Sequence, residues 1–199
     1  MTTHRSDRPY SPGDPERAFR CIVVQHQRRI TAFATRMLGG DAAAAQDVAQ
    51  ETFLAFWRQH FSADGKHPLP DHPERYLLRT AHNRCIDVLR VRREPSALNA
   101  ERDAASTTTG PEDATQSRCL SDAVRDAVAQ LPEGQRSVFI LSHYDGLRYQ
   151  EIADLLNCPI GTVASRKNQA VTTLRQRLKA WGDADEDNRN TEKPNAPQQ

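Results

Sequence analysis

Apolar residues recur at helical spacing in two separate blocks of the chain, with a polar stretch between them. In the first block Phe19, Ile22, Val23, Ile30, Phe33, Ala34 and Met37 stand mostly three, four or seven residues apart, the stripe of a helix packed on one face. Asp14 and Pro15 predict its start, because a carboxylate at the N-cap accepts a free N–H and a proline just inside has none to lose. Gly39 and Gly40 predict its end, since glycine takes the left-handed cap without strain. Asp41 caps a second helix whose apolar side is Ala45, Val48, Ala49, Thr52, Phe53 and Phe56. A polar loop holding Gly65, Pro68 and Pro70 precedes a third helix, from about Pro73 to about Arg93. Three helices with short links predict a bundle over residues 14–94.

Glu94-Pro95 stops this block. Residues 95–117 are rich in Ala, Ser, Thr, Asp and Glu, contain Gly110-Pro111 and have no periodicity, so they predict a flexible linker. The second block, 118–181, opens near Arg118 with the stripe Leu120, Val124, Val128 and Leu131, restarts at Pro132, and continues its core through Val138, Phe139 and Leu141. The outer segments, 1–13 and the acidic 182–199, are polar and predict disorder. No repeat and no β-type alternation interrupts this picture. The expected fold is all-α, two small helical domains on a flexible linker.

The most informative segment runs from Asp145 to Lys179. Asp145-Gly146 marks a turn, Tyr149–Leu156 a short amphipathic helix, and Asn157–Gly161 a break, after which Thr162 can cap a helix from Val163 to about Ala180. A two-turn helix, a tight turn and a longer basic helix make a helix-turn-helix, whose second helix enters the major groove of DNA. An ordinary helical hairpin would share that outline. The outer face of the second helix argues against it: with Val163, Ala170 and Leu174 inward, Ala164, Ser165, Asn168, Gln169 and Thr172 face outward, flanked by Arg166 and Lys167. Those are short hydrogen-bonding side chains, not the Glu/Lys mixture of a merely solvated helix.

Composition adds little until charge is placed along the chain. The formal net charge is only +1, with 37% hydrophobic and 27% charged residues. Arg75, Arg79, Arg84, Arg90, Arg92 and Arg93 nevertheless fall in one stretch, and Arg166, Lys167, Arg175, Arg177 and Lys179 in another, while Asp183, Asp185, Glu186 and Asp187 crowd the tail. Two basic segments are therefore masked in the total. Cys21, Cys85, Cys119 and Cys158 are far apart and show no metal-ligand spacing, so reduced cysteines are expected, with no metal and no cofactor. The opening MTTHRSDRPY lacks the apolar core of a secretion signal, and no apolar run approaches the roughly 18 residues of a membrane span. The expectation is a cytoplasmic protein without membrane insertion.

Leu131–Phe139, Tyr149–Ala153 and Pro159–Arg166 closely resemble the carboxy-terminal DNA-binding region of extracytoplasmic-function (ECF) sigma factors of bacterial RNA polymerase. Helix-turn-helix segments of response regulators share parts of the last motif, and the first block supplies the specificity. Asp47-Val-Ala-Gln-Glu-Thr-Phe53 resembles the family's core-polymerase-binding helix, and Tyr76–Arg90 resembles its promoter-melting helix. The resemblance implies a sigma factor with region 2 over 14–94 and region 4 over 118–181. It implies core RNA polymerase and promoter DNA as partners, an anti-sigma factor as inhibitor, and no catalysis by the chain itself.

Residue by residue, pattern and resemblance carry different weight. Asp47, Gln50 and Glu51 form one polar helix face that by pattern alone is a solvated face; the resemblance implies contact with the clamp helices of the polymerase's largest subunit. Tyr76, Arg79, Asn83, Arg84 and Arg90 recur every few residues as an aromatic–basic strip, suited to tracking phosphates and stacking on the bases of an opened strand. Asn83 matches a family position that holds a flipped base, and Tyr76 stands where the family often has tryptophan. Thr162, Ser165, Arg166, Lys167, Asn168 and Gln169 are the expected contacts to the upstream promoter element. Asn168 or Gln169 would read adenine, whose N6 and N7 match an amide, while Arg166 and Lys167 would hold phosphates. Ala164, Lys167 and Gln169 depart from the basic, leucine and arginine residues usual in the family at those positions. A stand-alone helix-turn-helix regulator is the alternative, and it leaves the Asp47–Phe53 motif and the arginine strip without a role. An enzyme fits less well still: no phosphate loop or Ser/His/Asp grouping stands out, and His82 and His143 read as packing or surface residues.

Overall fold

The computed structural model describes residues 14–62, 68–93 and 115–191, with side chains from 122 to 179 in the last stretch. The chain divides into two compact units, Met1–Ala105 and Ser106–Gln199. Among the described residues every regular element is a helix, as the periodicity predicts.

In the first unit α1 (Pro15–Met37), α2 (Ala42–His60) and α3 (Pro73–Arg93) each pack on the other two. Both expected caps form: Arg17 N–H donates to Asp14 Oδ1 at 3.0 Å, and Ala44 N–H to Asp41 Oδ1 at 2.9 Å. The chain leaves α1 through Gly39 and Gly40, at φ 70° and 98°, and Gly40 N–H closes on the Thr35 carbonyl at 2.8 Å. A β-carbon would strain that left-handed exit. Ile22, Ile30, Phe33, Met37, Phe56, Leu77 and Leu78 fill the core, each burial stabilising by about 1.5–3 kcal/mol. Thr52 is fully buried among them because its hydroxyl donates to the Val48 carbonyl at 2.7 Å, so no polar group is left unmatched. His26 also belongs to the buried stripe, one turn after Ile22 and one before Ile30.

In the second unit α4 (Thr115–Ala129), α5 (Glu133–His143) and α6 (Tyr149–Leu156) all pack against α7 (Ile160–Thr191). Val138, Ile140, Leu141, Ile152, Val163 and Ala170 form its core. Arg136 is buried at the joint between α4 and α5, where its Nη2 donates to the Leu131 carbonyl at 3.0 Å and to that of Ala129. A guanidinium there satisfies carbonyls that the end of α4 leaves without helical partners.

Three boundaries differ from expectation. α4 opens at Thr115, so the last three residues of the expected linker, 115–117, are helical; they carry no apolar side chain for periodicity to register, yet nothing in them stops a helix. α7 opens at Ile160: the Pro159 carbonyl accepts from Thr162 N–H at 2.9 Å and Val163 N–H at 3.3 Å. Thr162 therefore lies inside the first turn and is not the cap. α7 also runs to Thr191, through the first ten residues of the segment expected to be a disordered acidic tail, 182–191. Backbone hydrogen bonds propagate a helix without an apolar stripe, and the next proline is Pro194. The expectations of disorder at 1–13 and 192–199, and of flexibility at 95–114, fall outside the described residues.

Candidate nucleic-acid and polymerase interfaces

In the first unit the exposed side of α2 carries Asp47, Gln50, Glu51, Leu54 and Arg58 at spacings of three and four. The three polar residues expected on one face do share it. They share it with Leu54, half exposed at 50%, which polar-motif reasoning passed over. The signal was present as an apolar residue seven positions after Asp47, opposite the buried stripe.

On α3 the expected strip separates into two sets. Arg79, Asn83 and Arg90 stand exposed on one side, opposite the buried Leu77, Leu78, Ala81 and Cys85. Arg79 and Arg90 have no ion pair among the described residues. Tyr76 is half-buried: its hydroxyl donates to Gln59 Oε1, and its ring meets Phe56 and His60 edge-on at 5.3 Å. Its ring is thus spent on α2 and does not form an open stacking platform in this conformation. Arg84 also turns to α2, where Nη1 lies 3.3 Å from Glu51 Oε2. Arg92 pairs at 2.5 Å with Asp41, the cap of α2. The reason is geometric: Tyr76, Arg84 and Arg92 lie on the α2-facing flank of α3, and partners of matching chemistry are within reach.

The helix-turn-helix of the second unit is α6, a turn at Asn157–Pro159, and α7. Arg148 N–H donates to Glu151 Oε2 at 2.9 Å, closing the first turn of α6. Asn157 ends that helix in the left-handed region at φ 50°, and Cys158 N–H bonds the Ala153 carbonyl at 3.0 Å. Asparagine tolerates this conformation better than most residues. Ile152 and Ala153 of α6 and Val163, Ala170 and Leu174 of α7 are buried. That leaves Gly161, Ser165, Asn168, Thr172, Arg175 and Lys179 as one continuous exposed stripe, with Gln169 beside it.

The basic residues of α7 do not all join that stripe. Lys167 turns inward and donates from Nζ to Ser142 Oγ at 2.5 Å, with the ammonium 4.8 Å above the Phe139 ring centroid. Burial lowers its pKa. Lys167, expected to hold phosphate, lies here on the inward flank, where ring and hydroxyl replace solvent around the charge. Arg177 Nη1 lies 3.4 Å from the Ala127 carbonyl of α4. Arg166 is half-buried over the first turn of α5, so close that a β-carbon on Gly134 would come within 3.1 Å of its Cζ and Nε. Among the described side chains of α7, Arg175 and Lys179 are the basic ones that remain exposed. Gln169 is exposed as expected, and its Oε1 accepts from Gln135 Nε2 at 3.2 Å. Gly134, Gln135 and Arg136 were not singled out from sequence; their signal was position at the start of the helix that packs on α7.

One further titratable group is shifted by burial. The Cys85 thiol is pushed up to about 12 by burial, against a weaker opposite pull from Arg92, so it is a protonated core side chain. Among the described residues no three His, Cys, Asp or Glu side chains gather in a metal-holding group. No described helix is long and apolar enough to cross a membrane.

An all-helical bundle in one unit, and a helix-turn-helix with a short-side-chain polar face in the other, define a two-module DNA-directed transcription protein. Residues 22–94 match the family model of sigma-70 region 2, and residues 121–174 that of sigma-70 region 4. The chain is 33% identical over 159 residues to the RNA polymerase sigma-H factor of Pseudomonas aeruginosa, across 76% of this chain and 81% of that protein. It is 32% identical over 177 residues to the ECF RNA polymerase sigma factor SigW of Bacillus subtilis, across 84% and 91%. Its fold is similar to CnrH solved in complex with the cytosolic domain of CnrY (TM-score 0.58, 25% identity, 84% of this chain and 91% of that one). It is also similar to the sigma factor RpoE from Bartonella quintana, solved with the anti-sigma factor NepR (TM-score 0.60, 23% identity, 81% and 96%). The chain belongs to the ECF group of RNA polymerase sigma factors, and its role is promoter-directed transcription initiation.

Proposed function

We propose that the two units divide the work of initiation by the faces described above. The α2 face of Asp47, Gln50 and Glu51, with Leu54 at its centre, docks on core RNA polymerase. The α3 face of Arg79, Asn83 and Arg90 meets the opened promoter strand, with Arg90 and Arg79 toward phosphate and Asn83 toward a base. Tyr76 and Arg84 reach that strand only by leaving Gln59 and Glu51. In the second unit the α7 stripe of Ser165, Asn168 and Thr172, with Gln169 alongside, reads the upstream duplex. Thr162 and Arg166 support its amino-terminal end, and Lys167 holds α7 to α5 instead of touching phosphate.

The observation that carries this reading is the exposed α7 stripe: donors and acceptors short enough for base edges, continuous over the helix and opposite a fully buried seam. Coupling it to polymerase through α2 raises its effective concentration at promoters, so neither contact need be tight alone. The polymerase performs the chemistry and the chain is not an enzyme. It works in the cytoplasm, where polymerase and chromosome are. An anti-sigma factor that covers one of these faces would hold it inactive, as the family of RpoE and its partner NepR suggests.

The test is binding by the full chain with and without core polymerase. Co-purification with core, and footprints on duplex only in its presence, are expected. Tight duplex binding by the chain alone, with none to core, would instead make it a stand-alone regulator.

A further inference from the structure

The first turn of α5 lies outside the helix-turn-helix, yet two side chains of α7 rest on it. Arg166 covers Gly134, where the missing β-carbon gives its guanidinium room. One turn further along α7, Gln169 Oε1 receives the hydrogen bond from Gln135 Nε2 at 3.2 Å. Gln135 is half-buried, and its own Oε1 is buried with no hydrogen-bond partner among the described residues. Its nitrogen is the end that reaches α7. A side-chain amide free in solvent samples both orientations of its oxygen and nitrogen, and to a base edge those orientations present opposite patterns. A neighbour that presents an N–H, as Gln135 does here, selects one of them.

We infer that Gln135 is a specificity-determining positioning residue, which sets the polarity of the Gln169 amide before DNA arrives. An amide oxygen has two acceptor sites and its nitrogen two donors. With Gln135 on one acceptor site, Gln169 keeps a second acceptor and both N–H groups in a fixed order, the pattern that pairs with adenine N6 and N7. Fixing that order in advance removes part of the ordering cost of the contact. Base choice at one upstream position thus depends on a residue that touches no base. The inference rests on α7 being the duplex-reading helix, and the experiment separates the two.

Holoenzyme reconstituted from core polymerase and full-length chain is selected against a promoter library randomised across the upstream element. Compared are wild type, Gln169→Ala, Gln135→Ala, the near-isosteric acceptor Gln135→Glu, and the donor-only Gln135→Lys, all checked for an unchanged thermal transition. Wild type should prefer adenine at one position by about five- to a hundredfold, the range of a good bidentate contact. Gln169→Ala should abolish that preference and leave other positions intact. Gln135→Ala and Gln135→Glu should reduce it about threefold or more at the same position, and Gln135→Lys should retain most of it. A merely structural role for Gln135 would move all positions together and would not separate Glu from Lys. Loss of preference in Gln169→Ala with none in Gln135→Ala or Gln135→Glu would overturn the inference and leave the reading of α7 standing. Wild-type preference in Gln169→Ala would overturn both.

Discussion

Arg84 on α3 lies 3.3 Å from Glu51 on α2, so a residue expected to grip promoter DNA is paired with one expected to grip polymerase. The two faces of the first unit therefore meet along the α2–α3 edge. Both side chains are about half exposed, which keeps the pair weak, at roughly 0–1 kcal/mol.

That weakness makes a clean test of the polymerase face. The double substitution Asp47→Lys with Glu51→Lys should abolish co-purification with core polymerase, because it reverses charge across the face around Leu54. Thermal stability should fall by no more than about 1 kcal/mol, since the lost Arg84 pair is exposed. Undiminished polymerase binding by a folded double mutant would remove α2 from the interface.

Asn83 is exposed beside Arg79 and Arg90, and His82 Nδ1 lies 3.4 Å from its Oδ1. Asn83→Ala should leave closed-complex formation near normal and slow promoter opening, because its base contact exists only after melting. Permanganate reactivity of unpaired thymines reads this directly. Normal melting rates would exclude Asn83 from strand capture.

Lys167 gives a prediction opposite in kind to the one its charge suggests. Lys167→Ala should destabilise the second unit by about 1–2 kcal/mol, from one hydrogen bond and one cation–π contact. The salt dependence of DNA binding should stay unchanged, since no phosphate contact is lost. A salt slope reduced by about one, with unchanged stability, would return Lys167 to the DNA face.

What the sequence made legible was whatever depends on burial and on local backbone chemistry. The apolar stripes, the Asp14 and Asp41 caps, the Gly39-Gly40 exit and the α6–turn–α7 order are all local, and all appear in the structure. Side-chain direction on the flanks of a helix was not legible. Tyr76, Arg84, Lys167 and Arg177 sit between the buried and exposed faces, and only the neighbouring helix decides which way they turn. His26 was missed for a different reason: it is a polar residue at a buried register position. The continuation of α7 past the expected end at Ala180 was illegible because a helix without an apolar stripe leaves no periodic trace.

His26 supplies a pH prediction. Burial lowers its pKa below the ordinary 6.5, against an opposing effect of Glu74, and Arg29 lowers it further. The unfolded chain then binds a proton at higher pH than the folded one. Its contribution to stability is full above about pH 6.5 and is lost as pH falls toward the lower folded value. The melting temperature of the first unit should drop through that window, and His26→Gln should flatten the drop. An identical pH profile in the variant would show that His26 does not govern it.

The central claim is that one chain joins a polymerase-docking unit to a promoter-reading unit, and run-off transcription tests it most directly. Core polymerase is supplied with the full chain and a library of genomic upstream regions as template. Transcripts with defined start sites should appear only when both proteins are present, and the Asp47→Lys, Glu51→Lys double mutant should give none. Start sites unchanged by omitting the chain, or the same transcripts with the double mutant, would contradict the account.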